Sequence, residues 1–328
     1  MLSWNRIVAA CKPPQSHVNP GDMEQLGIRN ICRTAKLYNT LRRGARLVGR
    51  RRAFRQSFDA LLAENGPLRT TPAVMHDGWA IDTSRTLPHL DSLLDESAQY
   101  IAERGMTKRG MAGREFIRDI FQQDDLPRFG SFLNFITSSE VLATVSRYLG
   151  FVPVLSRTVP PGIRFVESSA DGQTALGEYQ QSQLYHLDLH DRPLVYVIVL
   201  LRDVTAECGP FTFLPASASA RAASAMRYQS RGSPYRVPDE RMYRAVDPTE
   251  AKVFAYPRGT VLFIDTNRCF HFGSRDAVVP RYQMMYTYVS PCRTDFTESY
   301  MTPRVFPTTA NDSRLRRMAL SDRAERAR

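Results

Sequence analysis

The stretch Tyr185-His186-Leu187-Asp188, followed closely by Leu194-Val195-Tyr196-Val197-Ile198-Val199-Leu200-Leu201, decides how this chain is read. The second segment is strand-length and rich in β-branched residues, a composition that favours extended backbone. In the first, alternation of side chains along a strand puts His186 and Asp188 on one face and Tyr185 and Leu187 on the other. A core histidine satisfied by hydrogen bonds and a strand-end carboxylate are the plain alternatives for His186 and Asp188.

Working outward, short β-rich runs dominate after Gly150: residues 152–158, 163–167, 182–188, 194–204, 211–214, 252–256, 261–265 and 283–290. Pro, Gly, Asp and Asn separate them, the pattern of an all-β sandwich or barrel. Before Gly150 the texture is helical. Residues 90–103 carry apolar side chains at Leu93, Leu94, Ala98 and Ile101. Residues 116–121 extend a second helix, and Ser138-Ser139-Glu140 opens a third that stops at Gly150. Trp79-Ala80-Ile81 is a short strand after Gly78. Residues 216–250 form an insertion with a helix and a loop, and residues 308–328 an Arg-rich terminal helix or disordered tail. The fold class expected is mainly β with flanking helices (α+β), a jelly roll with a mouth at one end. Its parts are a basic, largely helical N-terminal extension (1–67), the β domain (68–307) and the C-terminal tail (308–328).

The 328 residues carry a formal net charge of +11, unevenly placed, because residues 29–55 hold ten basic side chains and no acidic one. That run is either a solvated basic helix, broken near Gly44 and Gly49, or a patch for nucleic acid, an anionic membrane or an acidic partner. A targeting segment is a third option. No apolar stretch reaches the roughly 18 residues that span a bilayer. Cys11, Cys32, Cys208, Cys269 and Cys292 are odd in number and without a CxxC pair, which points to free thiols in a reducing compartment and a cytoplasmic location.

Two ligands two residues apart on a strand can take adjacent positions on one metal. His271, just past the apolar strand ending at Asp265, offers the third. Two histidines and one carboxylate form the facial triad of non-haem iron(II) oxygenases. The surrounding motifs agree. They are His76-Asp77-Gly78-Trp79, the helix ending Tyr148-Leu149-Gly150, and Leu201-Arg202-Asp203-Val204 before Gly209-Pro210. After these come Pro215-Ala216-Ser217, then Gly259-Thr260 before a strand, and finally Arg281 ten residues after His271. In this order and spacing, residues 76–292 resemble the phytanoyl-CoA dioxygenase family of iron(II)/2-oxoglutarate oxygenases.

The resemblance implies a double-stranded β-helix holding Fe(II) in its mouth, with 2-oxoglutarate and O2 as cosubstrates. It implies hydroxylation of a small organic substrate, with succinate and CO2 released. It assigns Arg281 to the far carboxylate of 2-oxoglutarate, for which a guanidinium fork is suited. The plain alternative is a surface strand arginine. Arg275 is the nearest competitor. Ser274 is a further candidate for contact with 2-oxoglutarate. So is Gln183, which needs a bulge to turn inward from a regular strand. His190 shares a face with the ligands. Related halogenases lack the carboxylate ligand, so Asp188 favours hydroxylation. Two features depart from the family: Ala218 stands where a histidine is usual, and residues 272–280 lack a clear counterpart of an asparagine found there. In the insertion, Arg221, Arg227, Arg231, Arg236, Arg241 and Arg244 interleave with Tyr228, Tyr235 and Tyr243, as an exposed loop or as recognition of an anionic or carrier-linked substrate. The rival functions are a non-catalytic jelly-roll binding protein, a jelly-roll protein using another metal, and a nucleic-acid-associated oxygenase using the basic arm.

Overall fold

The computed structural model describes residues 27, 30, 33, 36–37, 40, 48–55, 58–105, 116–168, 178–293 and 302–321. Most of the basic run and the last residues of the tail lie outside these. Residues 48–55 form one helical run through Gly49, so the break expected there is absent.

The large sheet is antiparallel throughout. Its order is β1 (Trp79–Asp82), β8 (Val261–Asp265), β5 (Leu194–Leu200), β10 (Arg281–Val289), β4 (Ile163–Ser168) and β2 (Ile117–Asp119), with β3 (Val154–Leu155) also on β10. The small sheet is β7 (Lys252–Phe254), β6 (Phe211–Phe213) and β9 (His271–Phe272). Two isolated antiparallel bridges widen it, His186 to His271 and Tyr185 to Val237. The sheets face each other, and Trp79 of β1 meets Phe213 of β6 edge-on at 5.4 Å. This is a double-stranded β-helix, or jelly roll, with flanking helices.

The two faces of the large sheet have different partners. Phe165, Tyr286 and Tyr288 point outward onto α2 (Leu90–Arg104), α3 (Ser131–Ile136) and α4 (Ser139–Leu149). There Tyr100 stacks on Phe165 at 5.0 Å, and Tyr288 donates to the carbonyl of Ile136. Val195, Val197 and Val199 are wholly buried, and each contributes on the order of 1.5–3 kcal/mol. The opposite face looks into the space between the sheets. It includes the row Thr287, Tyr196, Ile264 and Trp79, paired across β10, β5, β8 and β1.

Phe54 from the 48–55 run and Phe58 and Leu61 of α1 (Phe58–Glu64) enter the main core, as do Leu315 and Met318 of α7 (Arg314–Ser321). The insertion folds as α5 (Ala216–Ala225) and α6 (Asp239–Tyr243) over a second apolar cluster. Two sequence readings are corrected. Residues 116–121 are not a helix, because Ile117, Arg118 and Asp119 pair with the edge of β4. Asp119 also accepts the Phe165 amide, and sheet pairing overrides local propensity. Residues 182–188 are not a continuous strand, because Gln181–Gln183 form a 3-10 turn and pairing begins only at Tyr185.

Candidate metal centre

His186 and His271 face the inter-sheet space because their neighbours are drawn the other way. Tyr185 and Leu187 flank the first, Phe270 and Phe272 the second, and all four lie in the apolar cluster beneath the insertion. The alternation read from the sequence for Tyr185 to Asp188 therefore holds, and the same alternation operates around His271. The backbones of the two histidines exchange hydrogen bonds, each amide to the other's carbonyl at 3.1 Å. This locks the imidazoles side by side, with ring centroids 4.3 Å apart.

Asp188 completes the group. Its carboxylate stands 3.9 Å from His186 Nε2 and 3.7 Å from His271 Nε2. One ligand atom from each of the three residues lies within 4.8 Å of the others, the separation expected around one small cation. Among the described residues, no other group of His, Cys, Asp or Glu side chains has this character. The backbone of Asp188 is held from the turn after β8: its amide donates to the carbonyl of Thr266 at 3.0 Å, and Asn267 Nδ2 donates to its carbonyl at 2.7 Å.

The tautomers also suit a metal. His186 Nδ1 lies 2.9 Å from the carbonyl of Leu184, and His271 Nδ1 lies 3.0 Å from that of Cys269. A carbonyl only accepts, so Nδ1 carries the proton in both rings and each Nε2 keeps its lone pair toward Asp188. Burial lowers the pKa of His271, opposed by the Asp188 carboxylate, so the ring is neutral at pH 7.

Arg281 lies deeper in the same space. It begins β10, is 3% exposed, and has no acidic partner among the described residues. Its Nη1 donates to the carbonyl of Gly209 and its Nη2 to Ser274 Oγ at 3.1 Å, while Nε has no partner. Burial pushes the guanidinium down to about 10. Gly209 makes this packing possible: its φ is +59°, and an added Cβ would stand 2.5 Å from the carbonyl of Arg275. Gly273, two residues after His271, brings the chain close, since a Cβ there would lie 3.4 Å from Arg281 Nη2.

The other expected residues fall nearby. Ser274 is buried and shares a 2.6 Å hydrogen bond with Ser168. Gln183 turns inward from the end of the 3-10 turn, not from a bulged strand, and donates to the Ser274 carbonyl at 2.7 Å. Arg275, the competitor for Arg281, is already answered: its Nη1 meets Asp239 at 2.7 Å and its guanidinium lies over Phe272. His190 is half-buried past the triad.

Three residues escape a motif reading. Gln283 follows Arg281 by two positions on β10, so it shares its face; it is 1% exposed, and its Nε2 has no partner. Strand alternation alone would have flagged it. Tyr196 faces inward from β5, and burial, reinforced by Asp188, keeps its phenol protonated. Asn267 is invisible without the turn that carries it.

The early motif has a structural use. Asp77 accepts from the Ser217 amide at 2.8 Å and from its hydroxyl at 2.6 Å, and so ties the entry of β1 to the start of α5. Ala218 is buried in the apolar cluster beneath the insertion.

No protein-family model matches the sequence, and no curated protein matches it. Solved structures of similar shape include the epimerase SnoN in complex with Fe3+, alpha ketoglutarate and nogalamycin RO. The two share 13% identity over 72% of this chain and 84% of that one, with a TM-score of 0.43. EctD from S. alaskensis with 2-oxoglutarate and 5-hydroxyectoine shares 15% identity over 66% and 73%, with a TM-score of 0.44. HygX from Streptomyces hygroscopicus, with nickel, 2-oxoglutarate and hygromycin B bound, shares 15% identity over 72% and 90%, with a TM-score of 0.39. No helix among the described residues is long and apolar enough to cross a membrane.

Proposed function

We propose that the protein is an iron(II)/2-oxoglutarate-dependent oxygenase that oxidises a small organic molecule, by hydroxylation. The observation that carries this reading is the pairing of two features in one inter-sheet space. One is a donor set of two imidazoles and one carboxylate whose ligand atoms lie within 4.8 Å of one another, and the other is a buried arginine with no acid to answer it among the described residues. A lone buried cation is costly. Its retention makes sense if a carboxylate arrives to pair with it.

The residues fit the cofactors on chemical grounds. His186, Asp188 and His271 would hold iron, because two imidazoles and one carboxylate suit Fe(II) and leave positions open for other ligands. Arg281 would receive the far carboxylate of 2-oxoglutarate, with Ser274 orienting the fork. Gln183 would hold the Ser274 loop through its backbone carbonyl, and Gln283 would supply a further amide donor. Iron, when bound, supplies the activation of dioxygen and the oxidation of 2-oxoglutarate to succinate and CO2. The chain's part is to fix the geometry, keep the buried His271 imidazole neutral, and line the space with Tyr196, Ile198 and Leu200 so that water is scarce. Asp188 occupies the carboxylate position, which favours hydroxylation over halide transfer.

The test is succinate formation from 2-oxoglutarate by the iron-loaded, aerated full chain without added substrate. Slow turnover is expected in wild type and none in Asp188→Ala. Equal succinate from both proteins would mean that free iron, not this site, does the chemistry.

A further inference from the structure

Arg236 stands out among the arginines of the insertion. Arg221 pairs with Glu250, Arg244 pairs with Glu240, and Arg241 donates to the carbonyl of Met226 at 3.2 Å. Arg227 and Arg231 are exposed. Arg236 is only half-exposed, yet among the described residues its guanidinium makes no hydrogen bond or ion pair, and its Nη1 is buried without a partner. Its guanidinium lies over the ring of Tyr235, 4.6 Å from the centroid.

The backbone around it is firmly set. Tyr235 donates its hydroxyl to the carbonyl of Leu187 at 2.9 Å, and its own carbonyl accepts from Tyr228 at 2.9 Å. Val237 exchanges both backbone hydrogen bonds with Tyr185, at 2.9 and 3.0 Å. Carrying that antiparallel register on by one residue sets Arg236 opposite His186, and residues directly opposite project from the same face. The Tyr235 ring stands edge-on to His186 at 6.1 Å. A fixed aromatic ledge therefore carries an unanswered cation beside the ligand row.

We infer that Arg236 binds an oxyanion of the substrate, a carboxylate or phosphate group, so that the oxidised molecule is an organic acid or phosphate ester seated against Tyr235. The fork geometry matches such a group, and the stacked, half-desolvated guanidinium strengthens the contact. The inference rests on the metal reading above and adds the substrate class to it.

The experiment uses the full chain loaded with Mn(II), which is redox-inert here and paramagnetic, with saturating 2-oxoglutarate to fill the Arg281 end. Loss of the free-manganese EPR signal reports binding at the triad, with Asp188→Ala as control. Phenylphosphonate is then titrated, and its 31P relaxation reads an anion held near the manganese. Wild type should enhance the relaxation. Arg236→Gln should weaken phenylphosphonate about tenfold to hundredfold while still taking up manganese, and Arg236→Lys should fall between them. Equal enhancement in wild type and Arg236→Gln overturns the inference, because the anion then sits elsewhere. No enhancement in manganese-loaded wild type overturns it as well. Manganese that stays free in wild type instead overturns the metal reading, and the inference falls with it.

Discussion

Replacing Arg281 by methionine separates a structural arginine from one kept for a ligand. Burial moves its guanidinium from its usual value down to about 10. At about 1.4 kcal/mol per tenfold, this corresponds to roughly 3 kcal/mol of unrelieved desolvation. The folded value is the lower one, so the cost is present in full below about pH 10 and fades as pH rises above it. Methionine removes the cost and two donated hydrogen bonds, each worth about 1 kcal/mol. Ser274 keeps its bond with Ser168, and the Gly209 carbonyl still accepts the Ser274 amide. The ligand-free variant should therefore be as stable as wild type or about 1 kcal/mol more so, a rise of roughly 2 °C in Tm at this size. With Mn(II) and 2-oxoglutarate at about 100 times Kd, wild type should gain about 2.7 kcal/mol, or roughly 5 °C. The variant should show no such shift, since losing a two-pronged charged contact weakens binding by a hundredfold or more. Thermal unfolding with and without 2-oxoglutarate reads both effects. A variant that melts several degrees lower and still responds to 2-oxoglutarate like wild type would refute the reasoning, and would make Arg281 a structural residue.

Tyr148→Phe removes the hydroxyl that donates to the buried Asp265 carboxylate at 2.8 Å. Burial raises the pKa of Asp265, so its cost is absent below the unfolded carboxylate range and grows as pH rises through the folded value. The variant should match wild type near pH 4 and lose about 1–3 kcal/mol at pH 8 in urea titrations; a pH-independent deficit would contradict this. Asp77→Ala removes both contacts to Ser217 at the start of α5 and should cost about 1 kcal/mol in the same assay, with manganese affinity unchanged. A large loss of manganese binding would show that this tie also shapes the centre.

The alternation in Tyr185-His186-Leu187-Asp188 was enough to orient the two ligands, because the apolar residues on either side of His186 are drawn into a separate cluster. The long apolar run at Leu194 made β5 plain for the same reason. Residues 116–121 misled because Phe116, Ile117, Ile120 and Phe121 also fit a helical face, and only the edge of β4, some fifty residues away, selects the strand. The inward turn of Gln183 depends on a 3-10 turn that no spacing encodes. Arg281 was preferred to Arg275 through the resemblance alone; that Asp239 already pairs with Arg275 is a long-range contact no spacing encodes. Arg236 could not be told from five other arginines until the acids that answer its neighbours were in place.

The central claim is that His186, Asp188 and His271 hold iron together with 2-oxoglutarate. The most direct measurement is an anaerobic titration of the full chain with iron(II) and 2-oxoglutarate, followed through the weak visible charge-transfer band of the chelate. The account predicts a band that saturates with one iron per chain and is lost in Asp188→Ala and His271→Ala. A folded, iron-loaded wild type with no band, or a band untouched by either substitution, would contradict it.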